Sequence, residues 1–268
     1  MSDTVIAAPG EEDPICLARR IDDIALIWMN DPKRRNPLSL EARGLLIAEV
    51  NRAMDDTAVS SLVLAGAGGF FCSGGDIKGM MGIAPADARR RLHHIHDLIR
   101  TIQTGFKPVI AAVEGGAVGA GLSLAAACDI VVAAADARFS LPFGKIGLAP
   151  DLGALYTLPA RIGVGRTRWL AMTARSIEAE QALAWGLVEE TTAPGNAVAH
   201  AVELAREIGR NAPLSTAICK QLLARHPAAL EDVLSAEVNV QALLFASEDF
   251  AEGARAFFEK RAPKFKGK

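Results

Sequence analysis

Short apolar runs alternate with amphipathic stretches from the start of the chain to about residue 150. The segment ICLARRIDDIALIWMN predicts two strands with a turn near Asp22 and Asp23. An apolar stripe at helical spacing predicts one helix capped by Ser39 and ending near Asp55, and a second helix over about 86–104. Three further runs predict buried strands: SLVLAG, PVIAAV and DIVVAA. This alternation favours parallel strands joined by right-handed crossovers, with ligands near strand ends and helix N-termini.

The pattern changes after about residue 155, where apolar positions recur at helical spacing. The segments that predict helices are VGRTRWLAMTA, IEAEQALAWG, APGNAVAHAVELAREIG, PLSTAICKQLLARH, AALEDVLSAEVNVQALLFA and EDFAEGARAFFEKR. Helices after Gly195 are too apolar on one face for a monomer of this size, so we expect that face to be buried against another subunit. The predicted division is a core, 1–200, and a C-terminal helical oligomerisation region, 201–268.

Composition indicates a folded domain and excludes some classes of partner. Half of the 268 residues are hydrophobic and the mean hydropathy is +0.21, which argues against disorder. A net charge of −2 gives no basic surplus for nucleic acid. No apolar run reaches the roughly 18 residues of a membrane span. The closest, GLSLAAACDIVVAAADA, is interrupted by Asp129.

The first segment, MSDTVIAAPGEEDP, is acidic and lacks the basic region of a signal peptide, so we expect a loose tail. The four cysteines lie far apart and fit no C-x-x-C pattern: Cys16, Cys72, Cys128 and Cys219. Reduced thiols in a cytoplasmic protein are therefore expected.

Two glycine-rich segments, FCSGGDIKGM and EGGAVGAG, each follow a predicted strand. Neither is a dinucleotide fingerprint or a phosphate-binding loop. One interpretation is a pair of tight turns. The other is that free backbone N–H groups, one at a loop and one at a helix N-terminus, form an oxyanion hole.

The histidine cluster HHIH contains His93, His94 and His96. Because no cysteine or acidic residue stands at a supporting metal-ligand spacing, we expect a solvated helix face and no metal site. Of the three, His96 is the candidate for facing a cleft.

One carboxylate, Asp151, stands in the apolar segment LPFGKIGLAPDLG, with Lys145 as the nearby cation. Charged residues rarely enter apolar surroundings without a partner or a task. Asp151 is either a helix N-cap after Pro150 or a base whose pKa is raised by its apolar neighbours.

The chain resembles the enoyl-CoA hydratase/isomerase (crotonase) family, in order from WMNDPKRRNPLS to the last residue. The segments that carry the resemblance are FCSGGDIKGM, KPVIAAVEGGAVGAGLSLAAACDIVVAAADARFS, IGLAPDLGALYTLPARIG and EGARAFFEKRAPKFKGK. The resemblance implies an α/β fold, a crotonase-like spiral of βα units with a C-terminal helical trimerisation region. It also implies a homotrimer or hexamer.

Family membership implies that the glycine segments form an oxyanion hole for an acyl-CoA thioester carbonyl, with the N–H groups of Gly75 and Ala120 as donors. The family usually has glycine where Ala120 stands, and alanine fits if φ there is negative. Contacts to CoA are implied for basic residues near these loops and for two residues of a neighbouring subunit. The substrate-binding candidates are Lys33, Arg34, Gly74, Asp76, Ile77, Lys78, His96, Gly119, Phe143 and, from the neighbour, Phe257 and Lys260. No cofactor is expected, because the acyl-CoA is itself the substrate.

Family hydratases use two glutamates, and those positions hold Ser123 and Phe143 here. Hydration by the two-glutamate route is therefore disfavoured. Asp151 stands where some family isomerases carry their acid, including the ring-epoxide isomerases of phenylacetate breakdown, which this chain resembles in several motifs. The resemblance thus favours an isomerase that shifts a double bond through a thioester dienolate, with Asp151 as acid and base.

Three alternatives stay open. A dehalogenase that acts on 4-halobenzoyl-CoA would use Asp151 as nucleophile and His96 as base, although the aromatic-activating tryptophan of that group is Phe143 here. A hydratase of non-standard mechanism is the second. The third is a non-catalytic protein that binds acyl-CoA, and Asp151 is the feature that argues against it.

Overall fold

The computed structural model describes residues 6–10, 12–225 and 228–268. Its strands are β1 (Cys16–Ile21), β2 (Ile24–Met29), β3 (Ser61–Gly66), β4 (Val109–Val113), β5 (Gly116–Val118), β6 (Ile130–Ala134), β7 (Arg138–Ser140), β8 (Ser176–Glu178) and β9 (Glu190–Thr192). Its helices are α1 (Leu40–Asp55), α2 (Pro85–Thr104), α3 (Ala120–Ala127), α4 (Ala154–Thr173), α5 (Ala179–Trp185), α6 (Ala197–Ile208), α7 (Pro213–Leu223), α8 (Leu230–Phe245) and α9 (Glu248–Glu259). Residues 1–5 and 11 of the predicted tail, and His226 of a predicted helix, lie outside the described residues.

The main sheet has the strand order β1-β2-β3-β4-β6-β9. β1 pairs with β2 in antiparallel register, and each later neighbour pair is parallel. The alternation of strands with helices therefore confirms the α/β class with a mostly parallel sheet. The small strand β9 lies at the edge, in a stretch where the sequence pattern predicted none.

Both faces of the inner part of this sheet are covered, which explains why β2, β3, β4 and β6 are continuous apolar runs. Successive side chains of a strand point to opposite faces. Ile27 packs in a large cluster with Leu46 of α1, whereas Leu26 packs in a second cluster with Val63 and with Val202 of α6. The helix α6 thus covers one face, and it crosses the predicted division at residue 200.

A second sheet of three short strands, in the order β5-β7-β8, was not predicted. Its strand β8 corrects the predicted helix IEAEQALAWG, whose first two residues belong to the strand, while α5 begins at Ala179. β5 pairs parallel with β7, and β7 pairs antiparallel with β8. β5 occupies part of the segment EGGAVGAG that was predicted as a loop. Strands of three residues that contain glycine carry little periodicity, so they depend on their neighbours for definition.

Local helix signals are confirmed at α1, where Ser39 is the N-cap and its Oγ accepts a hydrogen bond from the Ala42 N–H at 3.1 Å. The predicted helix over 164–174 is the second half of α4, which is interrupted at Gly163 by a left-handed residue (φ 79°).

The C-terminal helices α8 and α9 have apolar faces that the single chain does not cover. None of the α8 residues, all of them described, is buried. Large apolar side chains are exposed on both helices: Leu230, Leu234, Val238, Leu243, Phe245, Phe250, Phe257 and Phe258. This exposure is what an oligomerisation region requires, and the oligomeric state stays a prediction. Within the described ranges, no helix is long and apolar enough to cross a membrane.

Candidate active site

The first glycine segment is held between β5 and the chain before α1. The Phe71 N–H donates to Glu114 O at 2.9 Å, and Val118 N–H donates to Cys72 O at 3.0 Å. On the other side, the Leu38 N–H donates to Gly74 O at 2.7 Å. These main-chain bonds hold residues 71–75 between the two neighbouring segments.

The loop lies directly against the N-terminus of α3. Gly74 has φ +104°, and a Cβ at this position would lie 2.8 Å from Val118 O and 3.5 Å from Ala120 N. A Cβ on Gly121 would lie 2.3 Å from Cys72 O. Only glycine allows the two backbones to approach this closely, so the two glycine segments form one site rather than two separate turns.

The predicted donors, Gly75 and Ala120, belong to this contact. Ala120 is the first residue of α3, where an N–H has no acceptor within the helix. It lies in right-handed helical conformation, with negative φ, so alanine is sterically acceptable there. The Gly75 N–H likewise has no hydrogen-bond acceptor in the described ranges. Their role as an oxyanion hole stays a prediction.

Neither position that holds a glutamate in family hydratases offers a free base. Ser123 is fully buried, and its Oγ donates to Gly119 O at 3.2 Å, one helical turn back. Phe143 is buried, and its ring lies 3.9 Å from where a Cβ on Gly119 would be. It therefore forms an apolar wall beside the N-terminus of α3.

Asp151 is half-buried, and its Oδ1 is fully buried without a hydrogen-bond partner among the described residues. Burial raises the pKa of this carboxyl, against the opposing effects of Arg43 and then His96. A carboxyl with a raised pKa is a stronger base once it is ionised.

The N-cap interpretation of Asp151 is wrong. Helix α4 begins at Ala154, its N-cap is Gly153, and no side chain of the described residues caps it. Asp151 contributes only its main-chain oxygen, which accepts from the Ala154 N–H at 3.1 Å. Leu152 and Gly153 follow in left-handed conformation, with φ of 51° and 75°, and Leu152 is completely buried. This strained turn fixes the position of Asp151 and leaves its carboxylate for another purpose.

His96 lies on α2, half-buried, and is close enough to lower the pKa of Asp151. His93 packs edge-on against it at 6.3 Å between ring centroids, while His93 and His94 are exposed. The structure therefore brings His96 near Asp151, as the dehalogenase interpretation requires. Over the described ranges, no group of three or more His, Cys, Asp or Glu side chains is arranged to hold a metal ion.

Arg43 and Arg91 are the site residues that the sequence analysis missed. Arg43 is only 2% exposed, and its Nη2 lies 3.7 Å from where a Cβ on Gly75 would be. Arg91 of α2 acts on the pKa of both Arg43 and Asp151. A signal was available for Arg43, since it stands three and seven residues before the buried Leu46 and Val50, on the apolar stripe of α1.

The basic segment at Lys33 and Arg34 packs beside the glycine loop. The Ser73 N–H donates to Arg35 O at 2.8 Å, and Ser73 Oγ donates to Arg34 O at 3.1 Å. Exposed Arg34 forms ion pairs with Asp31 and, at 3.8 Å, with Asp76. These residues are placed at the loop as predicted, but their contact with CoA stays a prediction.

The remaining candidates are on the surface. Ile77 and Lys78 are exposed at the short 3-10 turn that follows the glycine loop. Phe257 and Lys260, predicted to reach a neighbouring subunit, are exposed at the end of α9. Phe257 packs edge-on against Phe258.

A cavity of about 900 Å³ lies elsewhere, between α4 and α7. Its wall includes Asp129, whose Oδ2 accepts from Lys220 Nζ and from the Val109 N–H, each at 2.7 Å. Asp129 and Lys220 thus pair with each other there, in contrast to the open Oδ1 of Asp151.

Comparison with known proteins agrees with this geometry. The family model described as enoyl-CoA hydratase/isomerase matches residues 19–268. A 2,3-dehydroadipyl-CoA hydratase of Escherichia coli is 35% identical over 94% of this chain and 98% of its own length. A 1,2-epoxyphenylacetyl-CoA isomerase of the same organism is 33% identical over 91% of this chain and 95% of its own. The crystal structure of an enoyl-CoA hydratase from Polaromonas sp. JS666 superposes with a TM-score of 0.90 at 31% identity, covering 93% of this chain and 99% of that one. With the predicted crotonase-type fold thus confirmed, the chain belongs to the enoyl-CoA hydratase/isomerase family.

Proposed function

We propose that the protein is an acyl-CoA isomerase in which Asp151 is the single acid and base. Asp151 removes a proton from the carbon next to the thioester carbonyl of a 3-enoyl-CoA. The double bond moves into conjugation as a dienolate, and Asp151 returns the proton two carbons further along the acyl chain. No other reactant is needed, since the same proton leaves and returns.

The observation that carries the proposal is the buried Oδ1 of Asp151, which has no partner in the described ranges. An orphaned buried oxygen is costly, and such costs persist at sites where a substrate supplies the missing interaction. The N–H groups of Gly75 and Ala120 are the donors proposed for the dienolate oxygen.

Some relatives are named hydratases and others isomerases, so the choice between hydration and isomerisation depends on which carboxylates this chain has at the site. Hydration in the family needs a carboxylate pair to activate and deliver water, and Ser123 and Phe143 stand at those positions. Ser123 Oγ is engaged with Gly119 O, and Phe143 has no acid–base function. One carboxylate suffices for a proton shift, which is why isomerisation is favoured.

A panel of 3-enoyl-CoAs and 2-enoyl-CoAs tests the proposal, with absorbance of the conjugated thioester and product mass as readouts. We expect 3-enoyl-CoAs to be converted, and Asp151→Asn to lower the rate by about 10² to 10⁴ while acyl-CoA affinity is kept. A wild-type rate in Asp151→Asn, or the absence of any isomerised substrate, contradicts the proposal. Addition of water to 2-enoyl-CoA would indicate a hydratase of another mechanism, and binding without turnover would indicate a non-catalytic member.

The second candidate is a dehalogenase, and the proximity of His96 to Asp151 is the observation that favours it. Asp151 would attack the halogen-bearing ring carbon and displace halide, and water activated by His96 would cleave the resulting aryl ester. Halide release from 4-chlorobenzoyl-CoA, with the aryl ester accumulating in His96→Gln, would establish this reaction in place of isomerisation.

A trimer or a pair of trimers is part of the proposal, supported by the uncovered apolar faces of α8 and α9. Sedimentation equilibrium at micromolar protein should give a mass above that of one chain. A stable monomer at that concentration contradicts the assembly and the proposed contact of Phe257 and Lys260 with a neighbour's CoA.

A further inference from the structure

Two arginines that the proposed proton shift does not use lie around the glycine loop. Arg43 is 2% exposed, its Nε donates to Leu38 O at 2.9 Å, and its Nη2 lies 3.7 Å from a Cβ position on Gly75. Its Nη1 is fully buried and has no hydrogen-bond partner among the described residues. A buried guanidinium N–H without an acceptor is costly, so it needs an explanation.

Arg91 reaches the same place from α2. Its Nη1 donates to Gly79 O at 3.0 Å, and its Nη2 is buried without a partner in the described ranges. The two guanidiniums are close enough that Arg91 helps to lower the pKa of Arg43, second to burial. Two neighbouring arginines therefore each carry an orphaned donor, with Arg43 near Gly75 and Arg91 near Gly79.

The described carboxylates do not balance these charges. Asp151 acts on Arg43 through its charge, but its own Oδ1 is also without a hydrogen-bond partner. Asp76 lies near Gly79 and forms its ion pair with Arg34. Among the described carboxylates, Asp151 is therefore the one whose charge acts on buried Arg43, and its Oδ1 lacks a hydrogen-bond partner just as the two arginine donors do.

We propose that Arg43 and Arg91 bind a carboxylate carried by the acyl group, so that the substrates are CoA thioesters of dicarboxylic acids. Guanidinium groups match a carboxylate through paired N–H donors. Gly75 marks the thioester carbonyl in the proposed function, on which this inference rests, and Arg43 Nη2 lies near that residue. The phosphates of CoA are a full pantetheine arm away from that carbonyl, so they are not the anion at this position.

The test measures affinity with saturated, unreactive ligands: glutaryl-, adipyl- and pimelyl-CoA against pentanoyl-, hexanoyl- and heptanoyl-CoA, by calorimetry on the full chain. We expect at least one dicarboxylyl ligand to bind about 10²-fold more tightly than its monocarboxylyl match, because only the dicarboxylyl ligand can form a buried ion pair with the arginines. Arg43→Met and Arg91→Met should each remove most of this preference. Arg90→Met is the matched control, since Arg90 is the exposed neighbour on α2 and pairs with Asp87.

Equal affinities within every matched pair overturn the inference, and so does a preference that survives in both methionine variants. Arg91→Met keeps the test valid if Arg43→Met does not fold. A preference for dicarboxylyl ligands with no isomerisation of their 3-enoyl forms means that only the isomerase proposal fails. Isomerisation without any preference means that only the carboxylate inference fails.

Discussion

Asp129 and Asp151 are both aspartates inside apolar segments, and burial raises the pKa of both carboxyls. Their hydrogen bonding differs. Asp129 accepts from Lys220 Nζ and from the Val109 N–H, and it thereby ties α7 to the main sheet. Asp151 has a buried oxygen with no partner in the described ranges.

The comparison shows that burial alone does not distinguish a structural carboxylate from a functional one. A buried carboxylate whose partners are supplied by the fold serves the fold, as at Asp129. A buried carboxylate whose oxygen is left open, on a strained turn that fixes it in place, indicates a partner that arrives from outside. Changes that affect one aspartate and not the other test this distinction.

Removing the charge of Asp129 should have the largest effect on stability. Asp129→Asn leaves Lys220 buried beside a neutral amide, and the usual cost of breaking such a pair is about 3–5 kcal/mol. We expect the lower end, because Lys220 also donates to Lys107 O. Urea unfolding of the variant should show the loss directly.

Two controls sharpen this result. The double variant Asp129→Asn with Lys220→Met removes both charges and should recover part of the stability. Asp151→Asn should destabilise the protein less than Asp129→Asn does, since no hydrogen bond to Oδ1 is lost. Equal destabilisation by Asp129→Asn and Asp151→Asn would contradict the distinction.

The next largest effect should come from the donor proposed to hold the substrate near Asp151. Gly75→Pro removes the N–H, and we expect kcat to fall by about 10² to 10³. Gly75→Ala is the matched control, because it keeps the N–H while its Cβ displaces the tip of Met80, which lies 2.3 Å from that position. A similar loss in both variants would point to the displaced Met80 rather than to the donor.

The pH dependence of kcat/KM should report the raised pKa of Asp151. Activity requires the ionised carboxyl, so it should fall as pH drops through a pKa above the ordinary aspartate value. Arg43 is the group that most strongly opposes the rise in the Asp151 pKa. Arg43→Met should therefore move the acid-side fall of kcat/KM to higher pH. Arg90→Met should leave the pH at which kcat/KM falls unchanged. If kcat/KM of the wild type falls at the ordinary aspartate pKa, the assignment of Asp151 as the base is contradicted.

The raised pKa of Asp151 also predicts how the stability of the fold depends on pH. A folded-state pKa above the unfolded value means that the folded protein binds the Asp151 proton more tightly. The stabilisation from this proton is complete below the unfolded pKa and is lost as pH rises through the folded pKa. In Asp151→Asn this component should be absent from the pH profile of unfolding.

The smallest effect is expected at Ser123, the position of a family glutamate. Ser123→Ala removes the hydrogen bond to Gly119 O, which is typically worth about 0.5–1.5 kcal/mol. Isomerisation rates should change by less than about threefold, since no proton passes through Oγ in the proposed reaction. A loss as large as that in Asp151→Asn would make Ser123 part of the chemistry.

Much of the fold was predictable because long apolar runs form the sheet. β2, β3, β4 and β6 each fall within a predicted strand, and Ser39 caps the helix for which it was named. The three-residue strands β5, β7, β8 and β9 were not predictable, because they are defined by pairing with residues distant in the sequence.

The site was predictable in part. The glycine segments and Asp151 stood out because close backbone approach requires glycine and a carboxylate in apolar company is rare. The different states of Asp129 and Asp151 could not be read from the sequence, since Lys220 lies 91 residues from Asp129. Arg43 was overlooked because an arginine within a helix is usually solvated.

The buried anchor Leu152 has a stereochemical consequence. Because that side chain and the left-handed turn after it hold Asp151 in place, the carboxylate cannot pass from one side of a planar dienolate to the other. In the proposed reaction, one fixed carboxylate therefore removes and returns hydrogen on the same face. A substrate deuterated at the departing position should then keep part of its label in the product, and the new centre should have a single handedness.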